Sequence, residues 1–226
     1  MHQSITFDCG EDRITMPIKT VVAAGFTGRD RASIDHHIEE MRAIGVSPPA
    51  SVPILFPVIP TLVTNAEQIS VYKDATTPEI ECAFIRYQGR DYVTVASDQT
   101  DRKLEAQSIE LSKNVCPKIV GRTVWPLDAV SDRWDDLQLT STCGDTVLQD
   151  GTLGQLLPWQ EIFDFVARTA PGEDREGMMI LSGTVPTRAE PPKEGATVSL
   201  RLNDPTPNGM GMIRHDYTIR VLNNYF

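Results

Sequence analysis

The clearest periodic segment of the chain predicts an amphipathic helix beginning near residue 30. One face carries side chains at the i, i+3, i+4 and i+7 spacing of a helix: Ile34, His37, Ile38 and Met41. Asp30 or Ser33 can cap its start, and Gly45 ends it. Two more segments predict helices, residues 102–113, which end before Pro117, and residues 159–169, which have a second apolar face.

Alternating and β-branched residues predict strands over most of the remaining patterned segments: residues 69–71, 79–87, 91–96, 178–181, 197–202 and 217–222. A Gln88-Gly89 turn joins two of them into a hairpin. The last two are predicted to pair across a turn-rich connection over residues 203–211. A chain in which strands dominate and a few helices occur is typical of an α+β fold with one main domain.

Composition and charge exclude two classes of partner. The 226 residues contain 21 Lys and Arg against 31 Asp and Glu, which gives a formal net charge of −10. Nucleic-acid binding usually requires a basic patch, and none is apparent in the sequence. The longest apolar stretch, residues 52–60, is too short to span a bilayer and contains prolines, and the first residues do not have the pattern of a secretory signal. The sequence therefore predicts a soluble cytoplasmic protein with neither a nucleic-acid nor a membrane partner.

Three carboxylates form a candidate metal site. Glu79 and Glu81 are two residues apart in a predicted strand, so their side chains leave the same face. Like charges placed side by side are stable in water or around a cation. The following hairpin returns the chain to Asp98, a third oxygen ligand for Mg²⁺ or Mn²⁺. The alternative is an edge strand whose glutamates are simply solvated.

The order of several short motifs resembles that of the fumarylacetoacetate hydrolase superfamily. The motifs, in chain order, are the entry strand at residues 52–56, E-x-E at Glu79 and Glu81, D-x-T-x-R from Asp98 to Arg102, Lys113, the S-G-T-V-P segment at residues 182–186, and the turn at residues 193–198. A G-R-D-R segment at residues 28–31 and the stretch S-D-Q-T-D-R-K-L-E at residues 97–105 look close to an uncharacterised bacterial branch of that superfamily. The resemblance implies a strand-rich mixed β fold like the superfamily's C-terminal domain. It places a lid or helical region over residues 1–50 and the catalytic domain over residues 51–226.

The resemblance also implies roles for single residues. Glu79, Glu81 and Asp98 would be the metal ligands. Arg102 and Thr184 would contact the carboxylate or oxo groups of the substrate. Lys113 would lie near the developing negative charge, although Lys118 competes for this role because the helix between them and Asp98 is short.

Two further assignments concern the N-terminal region. His37 and Glu40 resemble the H-x-x-E pair that activates water in the lid of simpler members, and His36 with Glu39 has the same spacing. Arg29, in the Gly28-Arg29-Asp30 loop, is a candidate for anion recognition. The chain departs from the superfamily pattern at Lys103 and Glu105, and because of these changes the resemblance does not identify the substrate.

Together, these features lead to a hypothesis about the reaction. The resemblance implies a homodimeric, metal-dependent hydrolase that cleaves a C–C bond in a 2-oxo or 2,4-dioxo acid through a metal-stabilised enolate. The alternatives are an oxo-acid decarboxylase, hydratase or dehydratase on the same fold, and a non-catalytic protein that binds a small acid or is purely structural.

Overall fold

The computed structural model describes residues 3–43, 48–172 and 174–223. The helices are α1 (Arg31–Ala43), α2 (Arg102–Glu105), α3 (Ile109–Asn114) and α4 (Trp159–Thr169). The strands before α2 are β1 (Gln3–Cys9), β2 (Asp12–Ile18), β3 (Thr20–Gly25), β4 (Ile54–Val58), β5 (Val63–Thr64), β6 (Gln68–Tyr72), β7 (Thr76–Thr77), β8 (Ile80–Tyr87), β9 (Arg90–Asp98) and β10 (Thr100–Asp101). Those after α3 are β11 (Lys118–Val120), β12 (Trp125–Pro126), β13 (Gln138–Cys143), β14 (Thr146–Thr152), β15 (Met178–Leu181), β16 (Thr197–Asn203) and β17 (Met212–Leu222).

Two larger sheets organise the molecule. One has the strand order β4-β3-β15-β8-β9-β11-β5, with β12 paired to β9, and the other has the order β14-β13-β16-β17-β6. Strands β8 and β9 form an antiparallel hairpin, whereas β3 and β15 run parallel. Two two-stranded pairs, β1 with β2 and β7 with β10, complete the pairing among the described strands. This strand-rich mixed architecture confirms the predicted α+β class.

The alternation of side chains along β8 divides the core into two clusters. Ile80, Cys82 and Phe84 belong to the cluster that also contains Leu200 and Tyr217 of the second sheet. Burial of these apolar side chains between facing sheets is the main stabilising contribution expected in such a fold.

The opposite face of β8 packs beneath the N-terminal hairpin. Ala83 and Ile85 join a second cluster with Phe7 of β1 and Met16 of β2. Glu81 has the same parity as Ala83, so its side chain leaves the sheet on this second face. The candidate metal ligands therefore lie at the end of the face covered by the hairpin, away from the interior between the two sheets.

Most predicted elements are confirmed, and one helix is corrected. The predicted helix at residues 102–113 is two helices, α2 and α3. The Asp101 carboxylate accepts the amide of Leu104 and caps α2, while the Ser108 hydroxyl accepts the amide of Leu111 and caps α3. A capping side chain inside the segment starts a second helix, since it satisfies amides that lack partners within the helix.

The N-terminal region contributes more to the sheet than the sequence predicted. Residues 1–50 were expected to form a lid or helical region, yet β3 lies between β4 and β15 inside the larger sheet. The segment Thr20–Gly25 is a nearly continuous apolar run, the pattern of a strand buried on both faces, which lacks the alternation that marks half-buried strands. Within the described residues, no helix is both long and apolar enough to cross a membrane.

Asp204 is expected to stabilise the connection between β16 and β17. Its buried carboxylate accepts hydrogen bonds from the amides of Thr206 and Met210, at 3.1 and 2.8 Å, and it forms an ion pair with Arg133 at 2.8 Å. Burial raises the pKa of Asp204, but the bonds from Arg133 and these two amides outweigh it and hold the pKa well below its ordinary value. We expect Asp204→Asn to lower the free energy of unfolding by about 3 kcal/mol at neutral pH, because it leaves Arg133 without its buried partner.

The difference in stability between wild type and Asp204→Asn should depend on pH in a defined direction. A depressed carboxyl pKa contributes stability that is complete above the unfolded value of about 4 and is lost as the pH falls through the folded value. Urea unfolding should therefore show the gap between wild type and Asp204→Asn narrowing below about pH 4. Asp145→Asn, in the exposed β13–β14 turn, is the control and is expected to leave stability within about 0.5 kcal/mol. An unchanged stability of Asp204→Asn would contradict this role.

Candidate active site

Three carboxylates meet where β8 begins and β9 ends. Glu79 directly precedes β8, Glu81 lies in it opposite Ala96, and Asp98 is the last residue of β9. The backbone amide of Asp98 donates to the carbonyl of Glu79 at 2.9 Å, which fixes the two chain segments together. One oxygen from each carboxylate lies within 4.8 Å of the others, and all three residues are buried. The structure thus brings together the ligand set predicted from the sequence.

Three cationic side chains surround this cluster. Lys113 of α3 contacts Asp98 Oδ2 and lies 3.4 Å from Glu79 Oε2. Lys118 of β11 is opposite Asp98 in the sheet register, and its Nζ is 2.6 Å from Asp98 Oδ1. Arg102 lies 2.8 Å from Glu79 Oε1. Three carboxylates thus face three cationic side chains.

The two lysines differ in their surroundings. Lys118 is fully buried, and its ammonium also donates to the carbonyl of Gln99 at 2.6 Å. Lys113 is slightly exposed, and its ammonium lies 5.9 Å from the centroid of the Phe56 ring. Both lysines named as alternatives from the sequence therefore reach Asp98, Lys118 from within the sheet and Lys113 from the helix above it.

Burial and charge shift the pKa values of the cluster in opposite directions. Burial is the main cause that raises the pKa of Glu81 well above its ordinary value, and the charge of Asp98 adds to it. Burial also acts to raise the pKa of Asp98, but Lys113 and Lys118 outweigh it and lower that pKa. For Lys113, burial acts to lower the pKa, but Asp98 and Glu79 raise it above its ordinary value. Lys113 is therefore an ammonium at neutral pH.

The residues present fit a divalent cation. Hard cations such as Mg²⁺ take carboxylate oxygens at about 2.0–2.6 Å, so ligand oxygens around one ion lie a few ångströms apart, as they do here. Asp98 Oδ1 is buried close to Lys118 but accepts no aligned hydrogen bond from the described residues. An oxygen with this unused acceptor capacity, beside two further carboxylates, is suited to metal coordination. Glu79, Glu81 and Asp98 could thus hold Mg²⁺ or Mn²⁺.

The predicted substrate-binding residues occupy three different situations. Arg102 bridges Glu79 and Glu105 and has a side chain that is 39% exposed, so it connects the cluster to the surface. The Thr184 hydroxyl donates to the carbonyl of Ile80 at 2.7 Å, next to the carboxylates in sequence. Arg29 lies elsewhere, because its guanidinium pairs with Asp135 through two nitrogens and donates to the carbonyl of Leu156 through the third.

The side chains of His37 and Glu40 lie outside the described part of the structure, although their backbone belongs to α1. Glu39 of the alternative pair forms an ion pair with Arg42 at 2.8 Å. The segment that precedes α1 is linked to the strand beside the candidate site. Strands β3 and β15 are parallel and end at the same sheet edge, and the Thr27 hydroxyl beyond β3 donates to the carbonyl of Ser182 beyond β15.

Sequence reasoning missed two contacts of this site. Gln149 of β14 is fully buried and hydrogen-bonds to the backbone amide of Ile80, between the two glutamates. A glutamine in a strand has no local signal for such a role, since it depends on how the two sheets pack. Ser182 is similar, because its hydroxyl accepts the amide of Cys82 one residue beyond Glu81.

The fold is shared with solved structures described as fumarylacetoacetate hydrolase family proteins, which is the fold that the order of motifs implies. A candidate fumarylpyruvate hydrolase from Burkholderia cenocepacia aligns over 99% of this chain and 97% of its own, with a TM-score of 0.71 at 15% sequence identity. The fumarylpyruvate hydrolase from Pseudomonas aeruginosa, solved with Mn²⁺ and pyruvate, aligns over the same shares with a TM-score of 0.67 at 17% identity. A 2-keto-3-deoxy-D-arabinonate dehydratase aligns over 92% of this chain and 74% of its own, with a TM-score of 0.67 at 18% identity.

The chain belongs to the protein family described as a protein of unknown function, DUF2848, whose pattern matches residues 24–217. Among curated proteins, none matches the chain. The structural likenesses are all below 25% identity and show the shared fold.

Proposed function

We propose that the protein is a metal-dependent hydrolase that cleaves a C–C bond in a small 2-oxo or 2,4-dioxo acid. The observation that carries the proposal is the buried cluster of Glu79, Glu81 and Asp98 with the ammonium of Lys113 beside it. Enzymes concentrate buried, mutually perturbed titratable groups at the site of chemistry. Two proteins of the same fold support the substrate class, since one is a fumarylpyruvate hydrolase with Mn²⁺ and pyruvate and another acts on a 2-keto-3-deoxy acid.

In this proposal Glu79, Glu81 and Asp98 hold Mg²⁺ or Mn²⁺. When bound, such a cation supplies Lewis acidity that favours negative charge on the oxo oxygens of the substrate. Arg102 binds the substrate's carboxylate, because it combines its link to Glu79 with partial exposure, and Thr184 could join it only if its hydroxyl released the carbonyl of Ile80. Arg29, held by Asp135, could contribute to anion recognition only after rearrangement of that pair.

The proposed reaction consumes one water and breaks one C–C bond. His37, oriented by Glu40, removes a proton from water, whose oxygen attacks the distal carbonyl carbon. The bond between this carbon and the neighbouring methylene then breaks, and its electron pair stays on the methylene. Lys113 stabilises the negative charge and directs the proton that converts the methylene to a methyl group. The products from an acylpyruvate are a carboxylate, pyruvate and one proton.

The same residues could serve a lyase, and the shared fold of a 2-keto-3-deoxy-D-arabinonate dehydratase favours this as the second candidate. Decarboxylation or hydration belongs to the same group of reactions. A non-catalytic protein that binds a small acid is the remaining alternative. The homodimer and the cytoplasmic location implied by the sequence stay predictions.

A product-resolved screen tests the proposal. Purified protein with Mn²⁺ or Mg²⁺ is incubated with acylpyruvates and with 2-keto-3-deoxy acids, and products are identified by mass. We expect pyruvate and a second carboxylate from an acylpyruvate, and we expect loss of turnover after chelation. A product that has lost water but kept its carbon chain would establish the lyase instead, and no turnover of any oxo-acid would refute both enzymatic functions.

A further inference from the structure

We infer that Gln149 is a positioning residue of the metal site, which acts from the opposite sheet through the peptide between Glu79 and Glu81. This inference rests on the proposed metal-binding function. Gln149 lies in β14 of the second sheet, and its side chain is fully buried. Its carboxamide crosses to the first sheet and contacts the strand that carries the two glutamates.

The hydrogen-bond partners fix the orientation of this carboxamide. Gln149 Oε1 accepts the backbone amide of Ile80 at 2.8 Å, and Nε2 donates to the carbonyl of Val185 at 2.7 Å and to Thr184 Oγ1 at 2.8 Å. Rotating the group by 180° would place its NH₂ against the Ile80 amide and its oxygen against the Val185 carbonyl. The geometry therefore permits one orientation, in which the carboxamide oxygen accepts and both hydrogens of the NH₂ group are donated.

The location of Ile80 explains why such a contact is needed. Strand β15 pairs with β8 from Ile85 to Ala83, and the pairing extends to Ser182, whose amide donates to the carbonyl of Cys82. Beyond that point the chain leaves the ladder, so none of the described strands pairs with β8 on this side at Ile80. The Ile80 amide and carbonyl are instead satisfied by Gln149 and Thr184. Two buried backbone groups next to the carboxylates thus depend on side chains for their partners.

A shift of this peptide would move two ligands together. Glu79 and Glu81 flank Ile80 in the chain. On the side of β8 away from Gln149, this segment pairs with β9, where Ile80 lies opposite Ser97. Hydrogen bonds to β9 hold the end of β8 from one side and leave it free to twist. A second set of hydrogen bonds on the opposite side fixes its orientation. Gln149 and Thr184 supply that second set, and they tie the ligand spacing to the packing of the two sheets.

Mn²⁺ affinity, measured without substrate by electron paramagnetic resonance, tests this role. Gln149→Met keeps the approximate size of the side chain and removes its hydrogen bonds. We expect it to weaken Mn²⁺ binding by about tenfold or more, the loss typical for groups that orient metal ligands. Leu139→Ala is the matched control, since Leu139 is fully buried in β13 of the same sheet. It should lower the unfolding temperature and change the Kd for Mn²⁺ by less than about twofold, because the apolar Leu139 side chain makes no hydrogen bond to the Ile80 peptide.

A second variant removes the other hydrogen-bond partner of the Ile80 peptide. Thr184→Val removes the donor to the Ile80 carbonyl and should also weaken Mn²⁺ binding, so it carries the test if Gln149→Met does not fold. If both side chains act through the Ile80 peptide, the fold-loss of Mn²⁺ affinity in the double variant is smaller than the product of the fold-losses in the two single variants. Wild-type Mn²⁺ affinity in a folded Gln149→Met, or in Thr184→Val, would overturn the inference while leaving the proposed function intact. Failure of the wild-type protein to bind Mn²⁺ would refute the proposed function, and this inference with it.

Discussion

Glu81→Gln is expected to abolish measurable turnover and to weaken Mn²⁺ binding by more than about 100-fold, beyond the loss typical when a group behind a ligand is removed. The amide keeps the size of the side chain and can still accept the amide of Gly183, which donates to Glu81 Oε2 at 3.0 Å. What it removes is one of three negative charges around the proposed cation. Isothermal titration with Mn²⁺ and the product screen measure the two effects.

The same substitution should stabilise the metal-free protein. Glu81 is fully buried, and both its burial and the nearby charge of Asp98 raise its pKa. A raised carboxyl pKa means that ionisation destabilises the fold at pH values above the ordinary one of about 4.3. Since glutamine carries no charge, metal-free Glu81→Gln should unfold at a higher temperature than wild type near neutral pH.

The stability measurement distinguishes a ligand from an ordinary buried group. Mn²⁺ should raise the unfolding temperature of wild type, because it binds only the folded state, and should leave Glu81→Gln unchanged. Glu110→Gln, on the exposed first turn of α3, serves as the control and should respond to Mn²⁺ like wild type. An equal Mn²⁺ response in all three proteins would show that the cation binds elsewhere.

The carboxylate cluster could be predicted because it depends on local rules. Two glutamates two residues apart in a strand leave one face, and a hairpin of known length returns Asp98 to the strand that holds them. Both rules operate within about 20 residues of chain, over which strand geometry hardly varies. The order of motifs then connected this hairpin to the known fold.

Features that depend on sheet register or on sheet packing could not be predicted from the sequence. Lys118 and Lys113 are equally plausible partners of Asp98 until the pairing of β11 with β9 places Lys118 directly opposite it. Gln149 gives no local signal at all, because its contact with Ile80 exists only once the two sheets are packed. Strand β3 was missed for a related reason, since a strand buried on both faces loses the alternation that identifies it.

The two lysines beside Asp98 should separate into a catalytic and a structural role. We expect Lys113→Met to lower kcat by roughly 10²–10⁴-fold, the usual contribution of a group that stabilises charge or transfers a proton. The fold and Mn²⁺ binding should persist, because Lys118 still pairs with Asp98 and Arg102 still pairs with Glu79. Removal of a cation that lies against two proposed ligands should, if anything, tighten Mn²⁺ binding.

Lys118→Met should have the opposite profile. Lys118 is fully buried, and its ammonium forms an ion pair with Asp98 Oδ1 and donates to the carbonyl of Gln99, so its loss removes a buried counter-charge and leaves a buried carbonyl without its donor. Removing one member of a buried ion pair costs about 3–5 kcal/mol of folding free energy. Chemical unfolding should therefore detect a larger loss of stability in Lys118→Met than in Lys113→Met.

Lys103→Met separates these effects from the general loss of a positive charge. Lys103 belongs to α2, its side chain is 81% exposed, and its Nζ lies 4.0 Å from Asp74. Both activity and stability should stay close to wild type, as exposed ion pairs contribute little. If Lys118→Met were stable but inactive while Lys113→Met kept full kcat, the roles would be exchanged. That exchange would place the proton-directing ammonium inside the sheet, where β11 holds it against Asp98, and would leave Lys113 as a counter-ion on the helix.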